Sequence, residues 1–380
     1  MPTFTSFWEK SEYFDKIDTV IMGSGIVGLQ AALNLKRLHP ALNIAVFEAG
    51  ALPTGASTKN AGFACFGSVS ELLDDFTKVP RNEVFELVER RFEGLQRLRA
   101  TLGDEAIEYE EWGGFELFTD EEDFKSCAAL IPELNDELNK RLGIKNVYQI
   151  ADNRIAEFGF QGVRHLILNK AEGQINTGKM MRALVQKVRD AGIEIYNGIH
   201  VTGIHETESG VELTTTNGYL IRVRQIVICT NGFAKQFLQD EDVQPARAQV
   251  LITKPLPTLP FRGAFHYDAG YYYFRHIGNR ILFGGGRNLD FAGEITTDHD
   301  VTARIQQQLD HLLSTVIIPG VSYEVEMRWA GTMGVGATKR PIVKQVSDRI
   351  FCAVRMGGMG VALGSLTGEE VAQIVYAHGN

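Results

Sequence analysis

The sequence predicts an α/β fold built on a buried parallel sheet. Three observations predict it. Ile17–Met22 is a short apolar run that feeds into Gly23-Ser24-Gly25-Ile26-Val27-Gly28 and then into a segment of helical periodicity. A second apolar run, Asn43–Phe47, ends at Glu48. Far along the chain, Gln225–Thr230 and Ile350–Val354 are further strand-like runs that end in Thr230-Asn231-Gly232 and Arg355-Met356-Gly357-Gly358-Met359-Gly360-Val361.

The first of these has the spacing of a dinucleotide-binding turn. Leu29, Ala32 and Leu33 share one face of the predicted helix, Gln30, Asn34 and Arg37 the other, and Pro40 stops it. Gly23 allows the tight turn, Gly25 lets backbone approach a pyrophosphate, and Gly28 lets helix pack closely on strand. The helix start at Ile26 offers amide donors to phosphate oxygens. Glu48 follows about 20 residues later, the distance at which an acid binds ribose hydroxyls. With Ala49 it closes the expected ribose site, and its charge would repel a 2′-phosphate. A bare glycine-rich turn explains Gly23–Gly28 alone, but not strand, helix, second strand and acid together.

Composition limits the remaining choices. The 380 residues include 44% hydrophobic and 22% charged, ordinary globular values that exclude a disordered chain. Glycine is over-represented at 39 residues, in clusters without a triplet period. The net charge of −9 disfavours bulk nucleic-acid binding. No run approaches a membrane span, and MPTFTSFWEKSEYFDK lacks the apolar core of a signal peptide. Cys65, Cys127, Cys229 and Cys352 are scattered, which fits a reducing cytoplasm and argues against disulfides or a structural zinc. No metal site is expected: there is no His-Glu-x-x-His, and Asp298-His299-Asp300 reads as an exposed helix start.

The later segments are more specific than the first. Gly55-Ala56-Ser57-Thr58-Lys59-Asn60-Ala61-Gly62, Arg328-Trp329-Ala330-Gly331 and Tyr271–Arg287, together with Gly357–Val361, resemble the D-amino-acid-oxidase-like FAD enzymes. The resemblance runs from about residue 17 to 376 and is nearest the γ-glutamylputrescine oxidase and glycine/sarcosine oxidase branch. It implies an FAD-binding Rossmann-type (glutathione-reductase-like) domain with an inserted antiparallel-sheet substrate domain. FAD would then meet Gly23, Gly25, Ile26, Gly28, Glu48 and Ala49, the Ser57–Ala61 loop, and Val201 at the end of a strand begun near Ile193. Thr230–Gly232, Trp329, Gly331 and Gly357–Val361 complete the set. A glycine-loaded helix start at Gly357–Val361 would stabilise the negative charge of a reduced flavin. No cysteine lies between Gly331 and Gly336, where sarcosine-type enzymes tether flavin, so non-covalent FAD is expected. No second fingerprint exists for NAD(P)H: Gly331–Gly336 has the wrong spacing.

The expected domains are discontinuous. Residues 1–75, 171–245 and 325–380 would form the FAD-binding domain, and 76–170 and 246–324 the substrate domain. Hairpins are expected at Asn217-Gly218 and Gly278-Asn279, and Arg81–Leu102 as a helix with a solvated charged face.

The resemblance implies oxidation of a C–N bond by hydride transfer to flavin N5, which needs no protein nucleophile. Tyr271, Tyr273 and Arg275 share one strand face, with Tyr272, Phe274 and His276 on the other. Tyr271 resembles a tyrosine that binds substrate carboxylate in glycine oxidases, although an aromatic core strand is the plain alternative. Where amino-acid oxidases carry an arginine clamp, this chain has Met333. Arg287 and Lys59 are the cations left to bind a remote carboxylate. The expected substrate is an amine or amino-acid derivative, with oxygen or another acceptor taking the electrons and the oligomeric state left open. A 2-hydroxy-acid or polyol dehydrogenase, a tRNA-base-modifying FAD enzyme and a non-catalytic flavin-binding protein are the alternatives.

Overall fold

The structure, a computed structural model, describes residues 6–378. Across the first sheet the strands run Ile342–Ser347, Ile350–Val354, Gln225–Ile228, Thr19–Met22, Ile44–Glu48 and Glu194–Asn197. All neighbours are parallel except the first pair. Every residue of Thr19–Met22 and Ile44–Glu48 is buried, as a sheet covered on both faces requires. Ile21, Val46 and Val227 pack against helices Ile26–Leu38, Thr177–Asp190 and Gly360–His378. Val20, Phe47 and Ile228 face the opposite way, onto Val211, Leu213 and Ile221 of a three-stranded antiparallel layer. That layer contains the expected Asn217-Gly218 turn, with Gly218 at φ +80°. Val201 opens the strand Val201–Thr207 instead of closing one from Ile193, because Gly198 at φ +74° turns the chain after Glu194–Asn197.

The second sheet has eight strands, in the order Val325–Val335, Gln244–Thr253, Arg280–Gly285, Tyr272–Ile277, Ala264–Tyr267, Gly114–Phe118, His165–Asn169 and Tyr148–Ile150. Only Ala264–Tyr267 and Gly114–Phe118 pair in parallel. Its core is aromatic, with Phe265 stacked on Phe274 at 4.7 Å and Phe158, Phe160 and Phe261 set edge-on around them. Val325–Val335 pairs in register with Gln244–Thr253, so the stretch from residue 325 begins inside this sheet and reaches the parallel one only at Ile342.

Helix Arg81–Leu102 has its expected bounds, but its charges are not simply solvated. Its buried face lies on helix Gly360–His378, where a Cβ on Gly94 would come within 2.1 Å of the Ala362 carbonyl oxygen. Arg90 and Arg97 pair with Glu370 and Glu369 across this contact. Arg91, 1% exposed, turns inward to Glu71 and the Phe66 carbonyl.

Candidate active site

Between the two sheets lies a cavity of about 1500 Å³. One end is built by the fingerprint turn. Gly23 takes φ +103°, and a Cβ there would come within 2.9 Å of the Cys229 carbonyl oxygen. A Cβ on Gly28 would meet the Gly23 carbonyl oxygen at 2.0 Å, so this glycine lets the helix seat on its own turn rather than line the cavity. Gly25 is extended, and the Ile26 N–H donates to Ser57 Oγ at 3.0 Å.

Glu48 is buried at the cavity wall. Its carboxylate accepts from the Ser24 N–H (3.2 Å) and Ser24 Oγ (2.5 Å), and from the Gly50 N–H (3.0 Å) and Thr54 Oγ1 (3.2 Å). Sequence spacing found the acid but not Ser24 and Thr54, whose hydroxyls orient it.

The loop Gly55–Gly62 contains a single helical turn, Ala56–Lys59, and is held by its own side chains. Asn60 Nδ2 donates to the Ser57 carbonyl at 2.9 Å, and Asn60 Oδ1 accepts from the Gly62 N–H at 2.8 Å. Thr58 Oγ1 donates to the Pro53 carbonyl, and Trp329 Nε1 to the Lys59 carbonyl at 3.0 Å. Thr58 and Trp329 therefore brace the loop from behind, while Ser57, Lys59, Asn60 and Ala61 line the cavity. Lys59 donates to the Thr54 carbonyl, and burial lowers its pKa against the opposing charge of Glu48. That places its ammonium at the Glu48 end of the loop.

Arg275 is a structural residue that the alternating strand could have revealed. It is buried, donates to the Ala61 carbonyl and, at 3.0 Å, to the Ile175 carbonyl. Burial pushes its pKa down to about 10.

Val201, Thr230–Gly232, Gly331 and Gly357–Val361 also line the cavity. Asn231, at φ +46°, accepts through Oδ1 from the N–H groups of Arg355 and Met356, tying the first sheet's central strand to the glycine turn. Gly357 and Gly358 take φ +57° and +84°, and helix Gly360–His378 starts immediately afterwards. Met333 Sδ lies 3.2 Å from where a Cβ on Gly358 would sit, so a thioether stands beside this turn.

Toward the second sheet the cavity is walled by Phe63, Tyr273, Tyr271, Arg287 and Phe291. Tyr271 is exposed at the rim, edge-on to Phe291 at 6.1 Å. The Arg287 guanidinium lies over the Phe291 ring at 5.0 Å, and its Nε is buried without a hydrogen-bond partner. Burial lowers its pKa, while Glu294, the acid that opposes this, is held by Arg247. Asp298, His299 and Asp300 lie in an irregular segment ahead of helix Ala303–Leu312 instead of starting it. His299 faces the cavity beside Phe233.

A doubly covered parallel sheet, a glycine turn with a buried acid beside it and a facing antiparallel sheet define a flavin-type oxidoreductase. The comparisons agree. The family model described as FAD dependent oxidoreductase (DAO) matches residues 18–374, and the chain belongs to that family. It is 23% identical over 377 residues to "Probable oxidoreductase OrdL" of Rhizobium meliloti (strain 1021), covering 94% of this chain and 83% of that protein. Glycine oxidase from Geobacillus kaustophilus has a similar fold, with TM-score 0.75, 21% identity and 94% of each chain covered. So does iminodiacetate oxidase (IdaA) from Chelativorans sp. BNC1, with TM-score 0.73, 18% identity and 94% and 95% covered.

The cofactor is FAD, and the residues present fit it. Close glycine approaches, the Glu48 carboxylate and a helix start all border one cavity, where Thr230 Oγ1 is buried without a partner. Among the described residues no helix is long and apolar enough to cross a membrane. Purified protein should be yellow, and acid or heat should release all of its flavin into solution. Flavin retained by the precipitated chain would show a covalent tether.

Proposed function

We propose that this oxidoreductase oxidises a carbon–nitrogen bond of an amine or amino-acid derivative whose carboxylate lies away from the reacting carbon. The observation that supports it most directly is the contrast between Met333 and Arg287. A thioether, which cannot bind an anion, stands beside the Gly357-Gly358 turn, while Arg287 waits at the rim without a carboxylate partner. When bound, FAD supplies the acceptor for the two electrons and hydrogen leaving the carbon next to nitrogen. Arg287 and Tyr271 anchor the substrate's anionic end, and Phe291 covers the guanidinium. Tyr273 and Phe63, edge-on at 5.6 Å, form an aromatic wall that excludes water from the reacting end. The imine product hydrolyses in water, and oxygen or another acceptor reoxidises the enzyme. Glycine oxidase and iminodiacetate oxidase, both similar in fold, are named for amino-acid and amine chemistry. The four cysteines are buried and unpaired, which supports a cytoplasmic setting.

Anaerobic stopped-flow with glycine, D-alanine, sarcosine and γ-glutamyl-amine substrates tests this reading. The γ-glutamyl amines should bleach the flavin fastest. Only a neutral amine has the lone pair that assists loss of hydride, so the rate should rise with pH through the substrate amine's pKa. Arg287→Ala should raise KM for carboxylated amines about tenfold, or about 1.4 kcal/mol, and leave uncharged amines unaffected. Fast bleaching by D-alanine with no response to any amine would refute the proposal.

A further inference from the structure

Three side chains that the oxidation does not use converge beside the cavity, two of them in its wall. Cys65 directly follows the short strand Phe63–Ala64, and Glu172 directly precedes its partner Gly173–Gln174. The antiparallel register pairs Ala64 with Gly173, so the next step sets Cys65 opposite Glu172. His266, on strand Ala264–Tyr267, approaches from the larger sheet. The Cys65 sulfur, a Glu172 carboxylate oxygen and a His266 ring nitrogen all lie within 4.8 Å of one another.

We propose that Cys65, Glu172 and His266 bind one divalent cation of the zinc class. Thiolate, imidazole and carboxylate are the donor set that zinc favours, and three protein ligands with one open position is a familiar arrangement for it. Each donor is prepared for the role. His266 Nε2 is buried without a hydrogen-bond partner, and burial lowers the ring's pKa to about 4, which keeps it neutral. Glu172 Oε1 accepts from the N–H groups of Phe66 (2.8 Å) and Gly67 (3.0 Å), fixing the carboxylate and leaving Oε2 for an ion. Cys65 and His266 line the large cavity, so the ion enters there and its fourth position faces it.

Charge explains what the ion accomplishes. Burial pushes the Cys65 thiol well above its ordinary range, with the Glu172 charge adding to it, and pushes Glu172 up to about 7 against the Gly67 and Phe66 N–H groups and the Cys65 thiol, which favour its charged form. Glu71 adds to this, Arg275 partly offsets it at Cys65, and Arg91 with Lys339 neutralises Glu71. A doubly charged cation lets both groups ionise, and up to two protons leave as it binds. Bonds of about 2.0–2.3 Å hold tetrahedral donors roughly 3.3–3.8 Å apart, so donors now spaced more widely than that close on the ion as it binds.

The test needs no amine substrate, so its outcome is independent of the proposed reaction. FAD-loaded protein is stripped with a chelator, then titrated with zinc against a chromophoric competitor and, separately, with cobalt. One zinc per chain should bind, and cobalt should give a thiolate charge-transfer band. Cys65→Ser should abolish that band, and His266→Gln should weaken zinc binding about 100-fold or more. If Cys65→Ser fails to retain FAD, Glu172→Gln replaces it and should weaken zinc binding similarly. No stoichiometric zinc on the wild-type protein overturns the proposal, and so does full binding by the variants.

Discussion

Replacing Glu294 with alanine should destabilise the protein by about 3–5 kcal/mol, because it strands a buried guanidinium. Arg247 Nε and Nη2 donate to the two Glu294 oxygens at 2.9 and 2.8 Å, and Gln249 Nε2 adds a third bond at 3.0 Å. The acid is 1% exposed and the arginine 8%, so water cannot take the place of the lost partner. Urea unfolding of the FAD-loaded protein measures the loss. Joint replacement by Arg247→Met and Glu294→Leu should recover most of it, since neither charge is then left unpaired. The Arg247 N–H also donates to the Glu294 carbonyl at 2.8 Å, latching the segment that carries Arg287 and Phe291. Glu294→Ala keeps that main-chain bond but removes the three side-chain bonds that reinforce it, so it should also raise KM for a carboxylated substrate. An unchanged unfolding midpoint would show that Arg247 finds another partner.

Glu48→Arg should weaken FAD binding roughly 10- to 150-fold, the equivalent of about 1.5–3 kcal/mol for a charge-assisted hydrogen bond. Two of the four groups donating to Glu48 are the Ser24 and Thr54 hydroxyls, which can rotate to share the carboxylate with ribose. The substitution also sets a cation at the positive end of helix Ile26–Leu38. Titration of FAD-free protein with FAD gives the affinity, and circular dichroism checks the fold. Wild-type affinity in a folded variant would mean that the ribose binds elsewhere.

What was legible in the sequence was local. Gly23, Gly28 and Glu48 act within one strand–helix–strand unit, so spacing alone disclosed them. The Tyr272–Ile277 and Arg280–Gly285 hairpin was equally plain, because Gly278-Asn279 fixes its turn. Contacts made across the chain were not legible. Arg91 reads as one charge among many on Arg81–Leu102, and only the helix's packing on Gly360–His378 sends it inward to Glu71. Cys65, Glu172 and His266 share no spacing, since a two-residue ladder and a separate strand bring them together. The expected boundary at residue 325 puts Val325–Val335 on the cofactor side, but its partner Gln244–Thr253 is visible only in the ladder. Tyr271 is legible through its resemblance to the glycine-oxidase tyrosine, whereas the ring it meets, Phe291, comes from an irregular segment with no periodicity to read.

The order of strands in the parallel sheet has a consequence for how the chain is made. Thr19–Met22 sits between Ile44–Glu48 and Gln225–Ile228, and Ile350–Val354 lies just beyond the latter. The first helix is covered by the last: Gly364 and Gly368 of Gly360–His378 lie against Ile26 and Gln30. During synthesis the earliest strand must therefore wait, one edge unpaired, until more than half the chain has left the ribosome. Its helix waits longer still. Such long-range closure slows folding and leaves apolar edges exposed in the meantime. Translation stalled between Ile228 and Ile350 should yield an aggregation-prone nascent chain, while release of the final helix should restore solubility and protease resistance together.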